Sequence, residues 1–263
     1  MRYRRLSKAM NKNDFDLIEF RPKSTKYCIG IPVINEGDKF KKQLVKMSRF
    51  SDLADTIIFD GGSTDGSMDK NFLKKNGVRS LLTLKRGKGQ GTQLRMGLSY
   101  CLKENYKGVV TIDGNGKDNP NAIPNFLREL DKGYDLILGS RFIKGGKALN
   151  TPLVRLLAIR LIHAPILSMA AGKWYTDTTN GFRAYSKNYL LNPKVNPFRE
   201  IFKKYELYLY LTVRASQIGF KTEETPVARI YPKGNVPTKI KGVRSNLSLL
   251  LATIKVALGE YEP

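Results

Sequence analysis

The stretch YCIGIPVINEG, residues 27–37, decides the fold class of the chain. Residues 27–34 form a mostly apolar run of strand length, and the run stops at Asn35 and Glu36. A short apolar run that ends in polar residues is typical of a strand buried in a parallel sheet. Because parallel strands are joined through crossover helices, further units of strand and helix are expected along the chain.

Four more strand-like runs alternate with helix-like segments. They are DTIIFD (55–60), RSLLTL (79–84), GVVTID (108–113) and DLILGS (135–140). The helix-like segment 91–105 places Leu94, Leu98 and Leu102 on one face. Short apolar strands that alternate with amphipathic helices predict an α/β fold, with a mostly parallel, doubly wound sheet flanked by helices.

The alternation weakens after about residue 150. A helix-like segment (152–172), a strand-like GFRAYS, a second helix (about 198–218) and a strand-like KTEETPVARI follow in that order. Neither a repeat nor a low-complexity linker divides the chain. The sequence therefore predicts three parts: a basic N-terminal extension (1–26), one main domain (27–240) and a C-terminal amphipathic helix (241–263).

The chain is strongly basic. It has 263 residues, with 46 Lys and Arg against 23 Asp and Glu, and a formal net charge of +23. Such a surface suits nucleic acid, an anionic membrane face or a phosphate-bearing substrate. The two cysteines, Cys28 and Cys101, are expected to form a buried, reduced pair, which indicates a reducing compartment.

Two segments bear on membrane binding. The start of the chain lacks the features of a secretory signal, and no spanning helix is expected, because no stretch of about 18 residues stays apolar. Residues 152–172 and 243–259 combine apolar residues with scattered Arg and Lys, which suits helices lying on an anionic membrane. Core helices with a solvated face have the same composition. His163, the one histidine, is expected to pack within the first segment.

Polar residues follow four consecutive strands of the predicted sheet. They are Asn35 with Glu36, Asp60 with its loop GGSTDG, the basic residues 85–88, and residues 113–118. In an open parallel sheet, ligands bind beyond the carboxyl ends of the strands, because helix N-termini and loop amides converge there. These groups are therefore expected to form one binding site.

Two of these loops are rich in glycine. DGGSTDGS (60–67) fits a turn with a helix cap, or a loop in which Asp60 binds a nucleotide base or ribose. KRGKGQG (85–91) fits a solvated basic loop, or a phosphate cradle that includes Lys88. The second loop lacks the Gly-Lys-Ser/Thr ending of a P-loop, and no Gly-x-Gly-x-x-Gly follows the first strand. Ordinary NTPases and dinucleotide dehydrogenases are therefore disfavoured.

Five motifs stand in a set order along the chain: IPVINEG, DGGSTDGS, TIDGNGKDNP, GSRF and TDTTNGFRAYS. In order and spacing they resemble the glycosyltransferase family 2 enzymes of GT-A fold, especially the branch of dolichyl-phosphate mannose synthases and bacterial polyprenyl-phosphate glycosyltransferases. The similarity covers about residues 27–233. It implies a Rossmann-like GT-A domain over residues 27–240, and an inverting enzyme that uses a nucleoside-diphosphate sugar.

The resemblance also implies roles for individual residues. On the donor side, the family's nucleotide-binding positions fall on Pro32, Asn35, Glu36 and Asp60. Its Asp-x-Asp motif, which binds Mg²⁺ or Mn²⁺ and the nucleotide diphosphate, falls on Asp113 and Asn115. On the acceptor side, the matching positions are Asp177, Gly181, Phe182, Arg183, Glu224 and Pro226, followed by the basic residues Arg229, Lys233 and Lys239 that would grip an acceptor phosphate.

The metal motif departs from the family at two positions. A hard cation neutralises the charge that develops on a leaving diphosphate. Here Asn115 replaces the second acid, and Lys117 stands where the branch often has another ligand. Asp113 is therefore expected to be the principal ligand and Asn115 a weaker one, with Lys117 or Asp118 adjusting the diphosphate site. The alternative is an impaired or metal-independent enzyme.

Asp177 is the second predicted catalytic residue, and its role depends on the acceptor. A sugar hydroxyl needs a base to remove its proton, and a carboxylate can serve. A phosphate acceptor is already an anion, which leaves Asp177 to orient metal or substrate. A third interpretation is that Asp177 only caps the turn before Gly181.

The sequence thus predicts a glycosyltransferase that acts in polysaccharide biosynthesis on a lipid-linked acceptor, either a polyprenyl phosphate or a growing glycan. A peripheral location is expected at the cytoplasmic, inner face of the plasma membrane, on an anionic membrane surface, with no nucleic acid as a partner. One alternative is a basic nucleic-acid-binding protein, in which Asp60, Asp113 and Asp177 would repel phosphates unless they bound metal. The other is a nucleotidyltransferase, which would need a glycine-rich loop with a catalytic Arg or Lys directly after the first strand.

Overall fold

The computed structural model describes residues 12–232 and 242–263 of the chain. The strands in these two ranges are β1 Phe15–Glu19, β2 Tyr27–Val33, β3 Asp55–Asp60, β4 Val78–Leu84, β5 Gly108–Thr111, β6 Leu136–Ser140, β7 Lys147–Leu149, β8 Arg183–Ser186, β9 Thr222–Pro226 and β10 Ala228–Ile230. The helices are α1 Gly37–Met47, α2 Lys70–Lys75, α3 Gln90–Lys103, α4 Ile123–Asp131, α5 Leu153–Ala158, α6 Ala164–Ala171, α7 Lys187–Leu191, α8 Glu206–Gln217 and α9 Gly242–Ala257. A π-helical turn, Ile159–His163, joins α5 to α6.

Eight strands form one central sheet in the order β1-β4-β3-β2-β5-β8-β6-β9. All but β1 and β8 run in the same direction. Strands β7 and β10 form a separate parallel pair in which Arg229 lies opposite Ala148. The predicted α/β fold, with a mostly parallel sheet flanked by helices, is confirmed. In such a sheet the carboxyl ends of β2, β3, β4 and β5 lie along one edge.

The sheet has a hydrophobic core on each face. Consecutive side chains of β3 alternate between the cores, because Ile57 and Phe59 pack on one face while Ile58 packs on the other. Helices α3 and α8 cover the first face, and α1 and α4 cover the second. Gly97 of α3 lies so close to the Phe59 ring that a Cβ there would overlap it. This glycine brings α3, and the loop before it, against the sheet.

The predicted strands 27–34, 55–60, 79–84, 108–113 and 135–140 all occur, and their ends lie within two residues of the prediction. The fourth ends at Thr111, so Asp113 lies in the following loop. The helix expected over about residues 198–218 begins only at Glu206. A contact from a distant helix accounts for the later start. The guanidinium of Arg95 donates to the backbone carbonyls of Phe198 (3.2 Å) and Phe202 (3.1 Å), and these bonds hold residues 198–202 in a non-helical conformation.

Strand β1 lies within residues 1–26, the predicted N-terminal extension, and pairs antiparallel with β4 along the edge of the sheet. Phe15 and Ile18 pack against opposite cores, so this short strand is attached by side chains as well as by its backbone. The division into three parts stays a prediction.

The segment 152–172 is helical over Leu153–Ala171, and it packs against α8 and α9. Pro165 lacks an amide hydrogen, which accounts for the local shift to π-helical bonding in the preceding turn. His163 is buried in that turn, and its Nδ1 lies 2.8 Å from Thr253 Oγ1 of α9. No spanning helix is expected from the sequence, yet within the described ranges this helix is long and apolar enough, by length and composition alone, to cross a membrane.

Candidate functional site

The loops after β2 and β3 are joined through Asn35 and Asp60. Asp60 is buried and accepts hydrogen bonds from Gly62 N (3.2 Å), Ser63 N (3.0 Å) and Ser63 Oγ (2.6 Å), so its carboxylate closes the glycine-rich turn. Asn35 accepts from Thr64 N at 2.8 Å and donates its backbone amide to Ser63 Oγ at 3.0 Å. Both residues therefore shape one rim of the site.

Pro32 and Glu36 lie on either side of this junction. Pro32 sits inside β2, paired in register with Phe59, and Glu36 precedes the first turn of α1. Pro32 is buried, whereas Glu36 is partly exposed at the carboxyl edge of the sheet. Both are predicted to bind the nucleotide, but only the side chain of Glu36 is accessible to solvent.

The glycine-rich loop before α3 packs against another loop of the protein. Gly91 N donates to Lys203 O at 3.1 Å, and a Cβ on Gly91 would lie 2.7 Å from Lys204 O. A Cβ on Gly89 would lie even closer to backbone, against Lys203 O. Two of the glycines assigned to a phosphate cradle are thus required for backbone packing. The Lys88 side chain is exposed at the rim.

The first residue of α3 reaches the next loop. Gln90 Nε2 donates to Asp113 Oδ1 at 2.9 Å, so the N-terminus of a 14-residue helix lies beside this carboxylate. A helix N-terminus carries a partial positive charge and unpaired amides, which favour anions. Asp113 and the start of α3 together form a site that suits a phosphate group or a metal bound to one.

The side chain of Gln43 in α1 holds the loop after β5 through two hydrogen bonds. Its Nε2 donates to Asp113 O at 3.0 Å, and its Oε1 accepts from Gly116 N at 2.7 Å. Asn115 lies within this loop: Oδ1 accepts from Lys117 N at 3.1 Å, and Nδ2 faces Asp113 Oδ2 at 3.4 Å. The amide oxygen of Asn115 is therefore already used by the backbone of its own loop.

Basic groups lie on the other side of Asp113. The guanidinium of Arg229 donates to Asp118 and places Nη2 3.5 Å from Asp113 Oδ2. Lys117 Nζ lies 5.2 Å from the centre of the Tyr231 ring. Burial, with Arg229 nearby, lowers the pKa of Lys117. Burial also raises the pKa of Asp118 to about 6, although Arg229 opposes that shift.

Asp177 lies deeper, in a buried ion pair. Its carboxylate receives two hydrogen bonds from Arg141, with Nε 2.6 Å from Oδ2 and Nη2 2.8 Å from Oδ1, and neither side chain is more than 2% exposed. Glu224 holds the same loop, because it accepts from Thr176 N, Thr176 Oγ1 and Asp177 N at 2.9 to 3.2 Å. Glu224 thus positions the loop that carries Asp177.

Arg183 is fully buried, and its partners are internal. Its guanidinium donates to the carbonyls of Thr178, Asn180 and Tyr208 and to Thr212 Oγ1, at 2.5 to 2.8 Å. Its side chain therefore joins the 178–183 loop to α8 inside the protein. Lys233 and Lys239, the other predicted phosphate ligands, lie outside the described residues.

Four residues that the sequence analysis did not single out hold the site together. They are Gln43, Gln90, Gln93 and Arg141. Gln93 Nε2 donates to Val33 O (2.6 Å) and Phe59 O (3.1 Å), which ties the ends of β2 and β3. The glutamines resemble ordinary helix residues in sequence. Arg141 is part of the motif GSRF, which was the one available signal.

A helix with an apolar surface begins next to the basic groups. Arg155 of α5 donates from Nη1 to the Tyr231 hydroxyl at 3.2 Å. On the continuous helix Leu153–Ala171, of which α5 is the first part, Leu153, Val154 and Leu161 are 67%, 79% and 68% exposed. The basic groups near Asp113 thus lie next to a helix with exposed apolar residues.

Comparison with known proteins gives matches to sequence and fold. The sequence model of the family described as Glycosyl transferase family 2 matches residues 28–191. The chain is 26% identical over 200 residues to a polyprenol monophosphomannose synthase of Mycolicibacterium smegmatis, a match that covers 75% of this chain and 74% of the relative. It is 25% identical over 226 residues to a dolichyl-phosphate hexose transferase of Haloferax volcanii, with 86% and 91% covered.

Among solved structures, glucosyl-3-phosphoglycerate synthase of Mycobacterium tuberculosis, crystallised with Mn²⁺, UDP and phosphoglyceric acid, superposes with a TM-score of 0.63. The sequence identity is 18%, and the match covers 89% of this chain and 78% of that one. At this identity the likeness concerns the fold.

Proposed function

Because the chain belongs to glycosyltransferase family 2, we propose that it transfers a sugar from a nucleoside-diphosphate sugar to the phosphate group of a polyprenyl phosphate. The observation that carries this choice of acceptor is the Asp177–Arg141 pair. Both oxygens of this buried carboxylate accept hydrogen bonds from the Arg141 guanidinium, so they are already engaged inside the protein and are not placed to take a proton from a substrate.

Four more of the acidic residues predicted at the site also have partners. Asp60 is bonded to Ser63, Asp113 to Gln90, Asp118 to Arg229, and Glu224 to Thr176. A sugar hydroxyl must lose a proton to attack the donor sugar, whereas a phosphate monoester is already an anion near neutral pH. This arrangement supports a phosphate acceptor over a growing glycan.

For the donor, we propose that the cleft between the 60–67 loop, the 85–91 loop and Asp113 binds the nucleotide. Asp113 and the N-terminus of α3 are placed to receive the diphosphate with a divalent cation. Mg²⁺ is typically held by one or two carboxylates together with substrate phosphates, so the residues present fit Mg²⁺ or Mn²⁺. Such an ion would neutralise the leaving diphosphate. Asp113 would be its main protein ligand, since the Asn115 oxygen already accepts from Lys117 N.

For the acceptor, the supporting feature is the basic cluster around Tyr231, formed by Lys117, Arg155 and Arg229. Three cations around one ring raise the local positive potential and favour a phosphate. The resemblance also assigns Lys233 and Lys239, which lie outside the described residues, to the acceptor phosphate. Arg183 is left out of the proposed acceptor site, because its guanidinium is fully bonded inside the protein.

We further propose peripheral binding to the cytoplasmic face of an anionic membrane, in a pathway of glycan assembly. The supporting feature is a set of exposed apolar residues on two helices that pack against each other. Those on α9 and just beyond it are Leu247, Leu251, Ile254 and Leu258, and those on the 153–171 helix are Leu153, Val154, Leu157, Leu161, Ile162 and Met169. A lipid phosphate in the basic cluster would place its hydrocarbon chain beside the exposed residues of the 153–171 helix.

The cysteines bear on the compartment. The free, buried Cys28 and Cys101 fit a reducing compartment, as the cytoplasmic side of the membrane would be.

The test compares two acceptors that differ only in the phosphate. Polyprenyl phosphate and the corresponding polyprenol are incorporated into identical anionic vesicles and incubated with the enzyme, Mn²⁺ and radiolabelled nucleoside-diphosphate sugars. Transfer to the phosphate alone is expected. Equal transfer to the alcohol would require a base that removes the hydroxyl proton, and would overturn the choice of acceptor.

A further inference from the structure

Arg229 lies between two carboxylates of the loop that follows β5. Its Nη1 donates to Asp118 Oδ2, and its Nη2 lies 3.5 Å from Asp113 Oδ2. The arginine is only 8% exposed, and the Asp118 side chain is fully buried. A guanidinium therefore sits beside the carboxylate that is proposed to bind the divalent cation.

The contact with Asp118 is incomplete. Asp118 Oδ1 is buried and has no hydrogen-bond partner within the described part of the chain. Arginine and a carboxylate commonly form two parallel hydrogen bonds, and a buried oxygen without a partner is unfavourable. Asp118 thus has a free acceptor for a second bond from Arg229.

The backbone around Arg229 is held firmly to the loop. Asn119 N donates to Ala228 O at 2.9 Å, and Ile230 N donates to Lys117 O at 2.8 Å. These two bonds lie on either side of Asp118 and Arg229, whose backbones form an isolated antiparallel β-bridge. A change of partner by Arg229 therefore requires only a movement of its side chain.

We propose that Arg229 and the divalent cation compete for Asp113, and that Asp118 receives Arg229 when the cation binds. Two positive charges this close, away from bulk water, repel each other strongly, so they do not share one carboxylate oxygen. In the metal-free protein Arg229 is divided between the two acids. When the metal binds, two guanidinium nitrogens of Arg229 donate to the two carboxylate oxygens of Asp118. The Asp113 carboxylate is then available to bind the cation. This inference rests on the proposed donor site.

The test measures Mn²⁺ binding to the full chain without donor, from the loss of the electron paramagnetic resonance signal of free Mn²⁺. Arg229→Gln removes the competing charge and is expected to bind Mn²⁺ at least about tenfold more tightly than the unsubstituted protein. Arg229→Lys is the matched control, since it keeps the charge, and its affinity should stay near that of the unsubstituted protein.

Asp118→Asn tests the second part of the inference. It removes the carboxylate that receives Arg229, which leaves the arginine on Asp113, so Mn²⁺ affinity should fall by about tenfold. In the Arg229→Gln background the same substitution should have little effect. The double variant leaves no buried charge unpaired, so it should fold even if one of the single variants does not. Circular dichroism shows whether each variant is folded.

The result that overturns the inference is an Mn²⁺ affinity that Arg229→Gln leaves unchanged or weakens, with the double variant binding no better than Asp118→Asn. The proposed function fails differently. If the unsubstituted protein binds no Mn²⁺ even with nucleoside diphosphates present, the metal-assisted donor site itself is wrong.

Discussion

Arg141 and Asp177 form a buried ion pair with two parallel hydrogen bonds, Nε to Oδ2 at 2.6 Å and Nη2 to Oδ1 at 2.8 Å. The pair joins the loop after β6 to the loop before β8, and Arg141 also reaches Thr179 Oγ1 at 3.2 Å. It thus holds these two loops together at the proposed acceptor site. The same contacts occupy the carboxylate that would otherwise be a candidate base.

Breaking this pair from one side should strongly destabilise the fold. Arg141→Ala leaves the Asp177 charge buried and unpaired, and we expect the free energy of unfolding to fall by about 3–5 kcal/mol. Replacing both residues, as Arg141→Met with Asp177→Asn, should recover most of the loss. Urea unfolding of the two variants measures this. An Arg141→Ala variant within about 1 kcal/mol of the unsubstituted protein would show that the pair is not buried as described.

Asp113 should be essential for transfer and dispensable for folding. We expect Asp113→Ala to lower kcat/KM at least about a hundredfold, because the leaving diphosphate loses the ligand of its neutralising cation. Arg229 keeps its ion pair with Asp118 when the Asp113 carboxylate is removed, so the melting temperature should change little. Asp131→Ala, which removes an exposed partner of Lys26 near the amino end of β2, serves as the control and should leave activity unchanged. Full activity of Asp113→Ala would refute the site assignment.

The proposed membrane-binding surface is tested by adding a charge. Leu161 is 68% exposed on the 153–171 helix, and Leu161→Glu should reduce flotation with vesicles of phosphatidylglycerol and phosphatidylethanolamine, since a carboxylate resists entry into the apolar layer. Leu53→Glu is the matched control, because Leu53 is 50% exposed beside the amino end of β3. Equal flotation of the two variants would contradict the proposed surface.

His163 should make the docking of α9 depend on pH. Burial lowers its pKa below the ordinary value of 6.5, so the native side chain stays neutral where the unfolded one takes up a proton. Its contribution to stability is therefore present above about pH 6.5 and is lost as the pH falls through the lowered pKa.

The measurement for His163 compares melting temperatures of the unsubstituted protein and His163→Asn between about pH 7.5 and 5. Asn keeps a partner for Thr253 but does not titrate in this range. The unsubstituted protein should lose more stability than the variant as the pH falls. A constant difference between the two would mean that His163 does not titrate in this way.

Local patterns were enough to predict the sheet and the edge that carries the site. Strands β2 to β6 are short apolar runs, and the polar groups after β2, β3 and β5 meet because parallel strands share an edge. The motif order also indicated the family correctly. The predicted site roles remain proposals, although the structure brings Asn35 to the 60–67 loop, and Asp113 to Arg229.

The remaining features depend on partners that are distant in sequence. Nothing local to Arg183 indicates that Tyr208 and Thr212 accept its hydrogen bonds, and nothing near Gly91 indicates the backbone of Lys203. Arg141 and Asp177 each fit a motif, but their pairing follows only from the fold. In each case a residue type that suits ligand binding is used to hold two segments together.

The central claim is that the oxygen of an acceptor phosphate attacks the donor sugar, and the linkage in the product tests it most directly. The product formed from polyprenyl phosphate and the nucleotide sugar identified in the transfer assay is examined by phosphorus-31 NMR. The account predicts that the phosphomonoester signal of the acceptor is replaced by a single phosphodiester signal, as the sugar joins the phosphate. A product that carries the sugar and still shows the phosphomonoester would contradict it, because the sugar would then be attached to a hydroxyl.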